Sequence, residues 1–93
     1  MEFLVRIEFS LPPDVSDEQR QELLAAEYTR GRELRAAGKI AAIWRLPGGL
    51  RNIGVWQVED ATELHELLAS LPLYRFATVD VTALAKHPLS ESQ

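Results

Sequence analysis

The stretch LLAAEYTRG, residues 23–31, sets a glutamate among leucines. At ~100° per residue on a helix, Leu23, Leu24, Gly31 and Leu34 fall within roughly 60° of Glu27, so its carboxylate sits near the middle of an apolar stripe. Burial disfavours the charged form and raises a carboxyl pKa, and a base poised nearer neutrality is what proton abstraction from carbon needs. The same position also suits a structural ion pair with Arg45 or Arg51, or a carboxylate kept wet by Arg20 and Arg30. The helical wheel by itself leaves these alternatives open.

A second group of chemical residues lies in WRLPGGLRN, residues 44–52. Arginine matches a carboxylate with two parallel hydrogen bonds, so Arg45 or Arg51 is suited to hold an anionic substrate. Asn52 is suited to donate to an oxyanion, and Trp44, like Trp56, to line a pocket or an interface. A solvated, charged hairpin rim is the better account of either arginine taken singly. His65 falls at the margin of an apolar stripe and His87 in a tail without a local partner, which makes both weak candidates for chemistry. There is no glycine-rich phosphate loop, nucleophile elbow or His/Cys metal spacing, so no metal or cofactor site is expected.

These residues need elements to position them. EFLVRIEFS (2–10) alternates, with Phe3, Val5, Ile7 and Phe9 on one face, and predicts a half-buried strand ended by Pro12 and Pro13. Ser16 with Gln19 forms a capping-box pattern, and a helix is expected from Asp17 to Ala37, stopped by Gly38. KIAAIWRL (39–46), PGG (47–49) and LRNIGVWQV (50–58) read as strand, tight connection and strand, an antiparallel hairpin. Gly54 inside the second of these suggests a bulge or a close approach. Asp60 and Glu63 form a second capping-box pattern before a short helix, about 61–70, closed by Pro72. LYRFATVDVTAL (73–84) reads as the last strand, and AKHPLSESQ (85–93) as a polar tail ordered only by docking on a neighbour. The order β-α-β-β-α-β is the α+β, ferredoxin-like arrangement, a four-stranded antiparallel sheet with both helices on one face. Apolar residues on both sides of the strands (Ile43 with Trp44, Val55 with Trp56, Val79 with Leu84) suggest that a further subunit covers the other face.

Length and composition narrow the function. Residues 1–93 make one domain, 46% hydrophobic and 26% charged with net charge −4, the profile of an ordinary globular protein. The acidic balance supplies no excess of cations for phosphates, so nucleic acid is not an expected partner. No long apolar run predicts a membrane segment, and the lack of cysteine and of a leader points to the cytoplasm.

FLVRIEFSLPPD, AAEYTRGRELRAAGKI, IWRLPGG, ELHELLASLPLY and VTALAKHP, in that order and almost without gaps, resemble the muconolactone delta-isomerase family across practically the whole chain. The resemblance implies a cofactor-independent isomerase of catechol breakdown by the β-ketoadipate pathway, which converts muconolactone to 3-oxoadipate enol-lactone. It implies a ring-like homo-oligomer, a decamer, with sites near subunit boundaries. By it Glu27 matches the family's glutamate and is the base, Asn52 matches an active-site position, and Arg45 holds the substrate carboxylate. Gly31, one turn beyond Glu27, would leave room for the ligand.

The hairpin departs from the family pattern: Leu50 stands where a tyrosine is usual, and Gly49 and Arg51 also differ. A lost hydroxyl and a gained guanidinium bear on the substrate more than on the reaction type. Two other readings remain at this stage. One is a chloromuconolactone dehalogenase, which would release chloride and whose pattern differs at Asn52. The other is a non-catalytic small-molecule-binding module on the same fold.

Overall fold

A computed structural model describes residues 1–90. The elements run β1 (Glu2–Phe9), α1 (Asp17–Ala36), β2 (Ile40–Leu46), β3 (Arg51–Gln57), α2 (Ala61–Ala69) and β4 (Ala77–Leu84). The strands form one antiparallel sheet in the order β2-β3-β1-β4. This is the ferredoxin-like arrangement expected from the sequence.

The alternation of β1 decides which face is buried. Phe3, Val5 and Ile7 are buried and share a core with Leu34 of α1, Leu64 and Leu68 of α2, and Ile40, Trp56, Val58 and Leu71. Burying one such side chain contributes roughly 1.5–3 kcal/mol, so this cluster is what holds both helices to one face of the sheet. The capping box at α1 is complete: the Gln19 N–H donates to Ser16 Oγ at 3.1 Å and the Ser16 N–H to Gln19 Oε1 at 3.2 Å. Gly38 follows the helix with φ 77°, a left-handed conformation that costs glycine nothing. At α2 the box is offset by one residue. Asp60 caps the Glu63 N–H at 2.8 Å, but the Glu63 carboxylate accepts from the Glu59 N–H, also at 2.8 Å, and pairs with Lys39 at 3.1 Å.

Gly54 is a point of close approach. β2 shifts register between Ile40 and Ala42, and a Cβ on Gly54 would stand 2.8 Å from the Ala42 carbonyl oxygen. Because that obstacle is backbone, Gly54→Ala is expected to lower unfolding free energy by about 1–3 kcal/mol, the usual cost of overpacking, with urea unfolding as the measurement.

One element departs from expectation. Residues 73–84 do not form a single strand: after Pro72 the chain makes a 3-10 turn at Tyr74–Phe76, and β4 begins only at Ala77. The Tyr74 N–H donates to the Leu71 carbonyl and the Phe76 N–H to that of Leu73, and Leu73 is completely buried. The turn is required to bring β4 back beside β1, where Phe9 pairs with Ala77.

The other sheet face carries Leu4, Val55, Ile53, Leu46 and Trp44, and no element among the described residues covers it; Trp44 is 57% exposed. In the tail, residues 85–90 are exposed and close a short turn, with the Leu89 N–H donating to His87 Nδ1 at 3.0 Å. The remaining tail residues, 91–93, lie outside the described residues. No helix is long and apolar enough to cross a membrane.

Candidate active site

α1 crosses the sheet above the β2–β3 hairpin, and a cavity of about 550 Å³ opens between them. Glu27 lies on its helical wall with Leu24 and Gly31, as the i, i+4 rows of a helix require. A Cβ added to Gly31 would meet nothing within 4 Å, so the space beside the carboxylate is open.

The Glu27 carboxylate is half-buried, and its Oε1 accepts the Leu73 backbone N–H at 2.9 Å. Two effects oppose each other on this group. Burial disfavours the carboxylate and raises its pKa above the ordinary 4.5, while the Leu73 N–H favours it; burial is the larger, and the pKa is raised. The ion pairs that would have made Glu27 a structural residue do not form. Neither Arg45 nor Arg51 bonds to it, and Arg30 is turned away, its Nε donating to Ser70 Oγ at 3.0 Å and its guanidinium 3.6 Å from Glu33. The Glu27 Oε2 has no partner among the described residues, which leaves one oxygen for a proton.

The sheet supplies the opposite wall. Asn52 and Arg45 are directly paired across β3 and β2 and both border the cavity, so their side chains rise from one floor toward Glu27's helix. The Asn52 Oδ1 is buried with no hydrogen-bond partner, and its amide makes no bond to any described residue. A buried carbonyl oxygen without a partner costs about 1–3 kcal/mol, a cost that fits a side chain reserved for a ligand. Arg45 is exposed and unpaired among the described residues.

Trp44 also borders the cavity, although the register sets it opposite Ile53 on the uncovered face. β2 is an edge strand, where an indole can reach around the sheet. Arg51 does not join the site. It sits next to Asn52 on β3, opposite Leu46 and Glu8, and the period of two sends it to the other face. Its Nη2 donates to the Pro47 carbonyl instead, folding the guanidinium over the hairpin turn. Of the residues expected to bind substrate, Arg51 is thus the one that does not border the cavity. His65 stays outside the cavity, edge-on to the Tyr74 ring at 6.5 Å.

The structure adds residues that the sequence reading passed over. Tyr28, Arg32 and Arg35 of α1 border the cavity, with Phe9 of β1 and Leu50 of the hairpin turn. Arg35 braces the site's edge, its Nη1 donating to the Ile40 and Ala41 carbonyls at 2.9 and 2.5 Å where β2 shifts register. The signal that would have found them is the same helical arithmetic carried one turn further, from Glu27 and Gly31 to Arg35 and from Tyr28 to Arg32. Among the described residues no cluster of three or more His, Cys, Asp or Glu is placed to hold a metal ion.

A carboxylate with a raised pKa, facing an amide and a guanidinium across a mostly apolar cavity, is suited to moving a proton on a carbon acid that carries an anionic group. Comparison with known proteins points the same way. The sequence model of the family described as "Muconolactone delta-isomerase" matches residues 1–90. The chain is 39% identical over 85 residues to a Muconolactone Delta-isomerase of Rhodococcus opacus, covering 91% of each chain. It is 38% identical over 90 residues to that of Acinetobacter baylyi, covering 97% of this chain and 94% of the relative. A crystal structure of muconolactone isomerase superposes with a TM-score of 0.88 at 31% identity, over 95% of this chain and 92% of that one. A 5-chloro-2-hydroxyhydroquinone dehydrochlorinase from Burkholderia phenoliruptrix superposes at 0.71 with 17% identity, over 94% of this chain and 96% of that one, a likeness of fold alone. With its whole described length matched, the chain belongs to the muconolactone delta-isomerase family.

Proposed function

We propose that this protein is a muconolactone delta-isomerase, converting muconolactone to 3-oxoadipate enol-lactone without a cofactor in the β-ketoadipate branch of catechol breakdown. The observation that carries the reading is the half-buried Glu27 carboxylate, steadied by the Leu73 N–H and unpaired with any cation, on the wall of the cavity.

In the proposed reaction Glu27 takes the proton from the ring carbon that bears the carboxymethyl group. The electron pair delocalises through the conjugated lactone as a dienolate, with negative charge on the carbonyl oxygen. The Asn52 amide donates to that oxygen, where a hydrogen bond is worth more in the transition state than in the ground state. Glu27 then returns the proton to the carbon next to the carbonyl, so one carboxylate serves both transfers and the charges balance. Its raised pKa narrows the gap to the carbon acid.

Arg45 holds the substrate carboxylate, an interaction present equally before and during the proton transfer. Arg45→Gln is accordingly expected to raise KM roughly tenfold or more while changing kcat little, which steady-state kinetics with muconolactone would show.

The same reading takes the chain as one domain of a cytoplasmic homo-oligomer, a decamer as the family resemblance implies. Support comes from the apolar sheet face, where Trp44 and Leu84 are 57% and 39% exposed, and from the exposed tail. The activity is tested by incubating purified protein with muconolactone and identifying the product by NMR. Formation of the enol-lactone supports the assignment, and unchanged muconolactone overturns it.

A further inference from the structure

Proton transfer leaves one charged group of the cavity without a task. Arg32 lies on α1 five residues beyond Glu27, borders the same cavity, is exposed, and makes no hydrogen bond or ion pair among the described residues. The other arginines nearby on the helix are engaged, Arg30 with Ser70 and Glu33, Arg35 with the Ile40 and Ala41 carbonyls. Arg45 borders the cavity from β2, also unpaired. Two uncommitted guanidiniums therefore meet one cavity from different walls, and Glu27 is the one acidic side chain that borders it.

A lactone with a single carboxymethyl group carries one carboxylate, which Arg45 is sufficient to hold. The second guanidinium matches a second anionic group. Hydrolysis of such a lactone supplies one: water adds hydroxide to the acyl carbon, the acyl carbon–oxygen bond breaks, and the ring oxygen leaves with the proton. The carboxylic acid so formed releases its proton to solvent at neutral pH and becomes a second carboxylate, so the ring-opened product is a linear dianion. We propose that the cavity also binds linear dicarboxylates of this ring-opened class, one carboxylate on Arg45 and the other on Arg32, in competition with the lactone.

A lactone-hydrolysing reaction that consumes the isomerase's product would thus generate a ligand that slows the isomerase as it accumulates. This consequence rests on the isomerase assignment, whereas binding of the dianion does not. Apolar residues that border the same cavity, Leu50 and Ile43 among them, suit the methylene chain that joins the carboxylates.

The test is calorimetric titration with adipate and with hexanoate, a dicarboxylate and a monocarboxylate of equal chain length, at fixed ionic strength because exposed charges are screened. Wild-type protein is expected to bind adipate up to about fivefold more tightly than hexanoate, the upper range for an exposed ion pair. Arg32→Gln is expected to remove that preference while leaving hexanoate affinity unchanged, and its exposed side chain makes misfolding an unsuitable explanation for any loss. Adipate is expected to inhibit muconolactone turnover competitively. Absence of adipate binding, equal affinity for the two ligands, or a preference that survives Arg32→Gln would overturn the inference. If the protein shows the Arg32-dependent preference but no turnover of muconolactone, the isomerase assignment fails and the dicarboxylate site stands.

Discussion

Replacing Glu27 by glutamine is expected to lower kcat for muconolactone by about 10²- to 10⁴-fold, the usual contribution of a positioned general base. The fold should not suffer. Glutamine keeps the shape of the side chain and an oxygen that can accept the Leu73 N–H, so the one hydrogen bond that fixes this group survives. Stability should in fact rise at neutral pH. Because the folded-state pKa of Glu27 is raised above 4.5, the native site favours the protonated carboxyl. The stability gained from that preference is fully present below 4.5 and is lost as pH rises through the raised value, above which the fold bears an ionised carboxylate in a site that disfavours it. A neutral amide removes that cost. Thermal unfolding should show Glu27→Gln at least as stable as wild type near neutral pH, with the difference shrinking below 4.5. A variant that loses activity while gaining stability is hard to explain by a structural role for Glu27 and follows directly from a catalytic one.

Asn52→Ala is expected to lower kcat by about 10²- to 10³-fold with a smaller change in KM, as found when one donor to a developing oxyanion is removed. The Asn52 amide bonds to no described residue, so truncation leaves no protein partner stranded and structural damage should be slight. Stopped-flow or steady-state kinetics distinguish the cases. Loss of kcat at nearly constant KM marks a contact made to the dienolate, and a rise in KM alone would mark a contact to the bound lactone.

Glu27 was legible in the sequence because its significance depends on helical periodicity, which is local. The same holds for the capping box at Ser16, the alternation of β1 and the β-α-β-β-α-β order. What holds Glu27 was not legible. LYRFATVDV is a run of aromatic and β-branched residues that reads as strand throughout, yet its first four residues turn to let β4 reach β1 and to bury Leu73. That turn presents the backbone N–H that Glu27 accepts, a contact between residues 46 apart in sequence.

The placement of Arg51 was not legible for a related reason. Adjacent strand residues face opposite sides, and of this pair Asn52 borders the cavity while Arg51 does not. Which of them faces the helices is set by the pairing of Asn52 with Ile7, a long-range register that no local pattern contains. Arg32 and Tyr28 were passed over because a stripe drawn through apolar residues stops at its polar edge, and the cavity lies along that edge.

Glu27, with its pKa raised by burial, is the proposed base of a lactone isomerase. The most direct measurement is kcat/KM for muconolactone as a function of pH, since this ratio reports ionisations of the free enzyme. The structure predicts activity near neutrality and an acid limb governed by a single ionisation whose pKa lies above 4.5. An acid limb at or below 4.5, or no turnover at any pH, would contradict the claim.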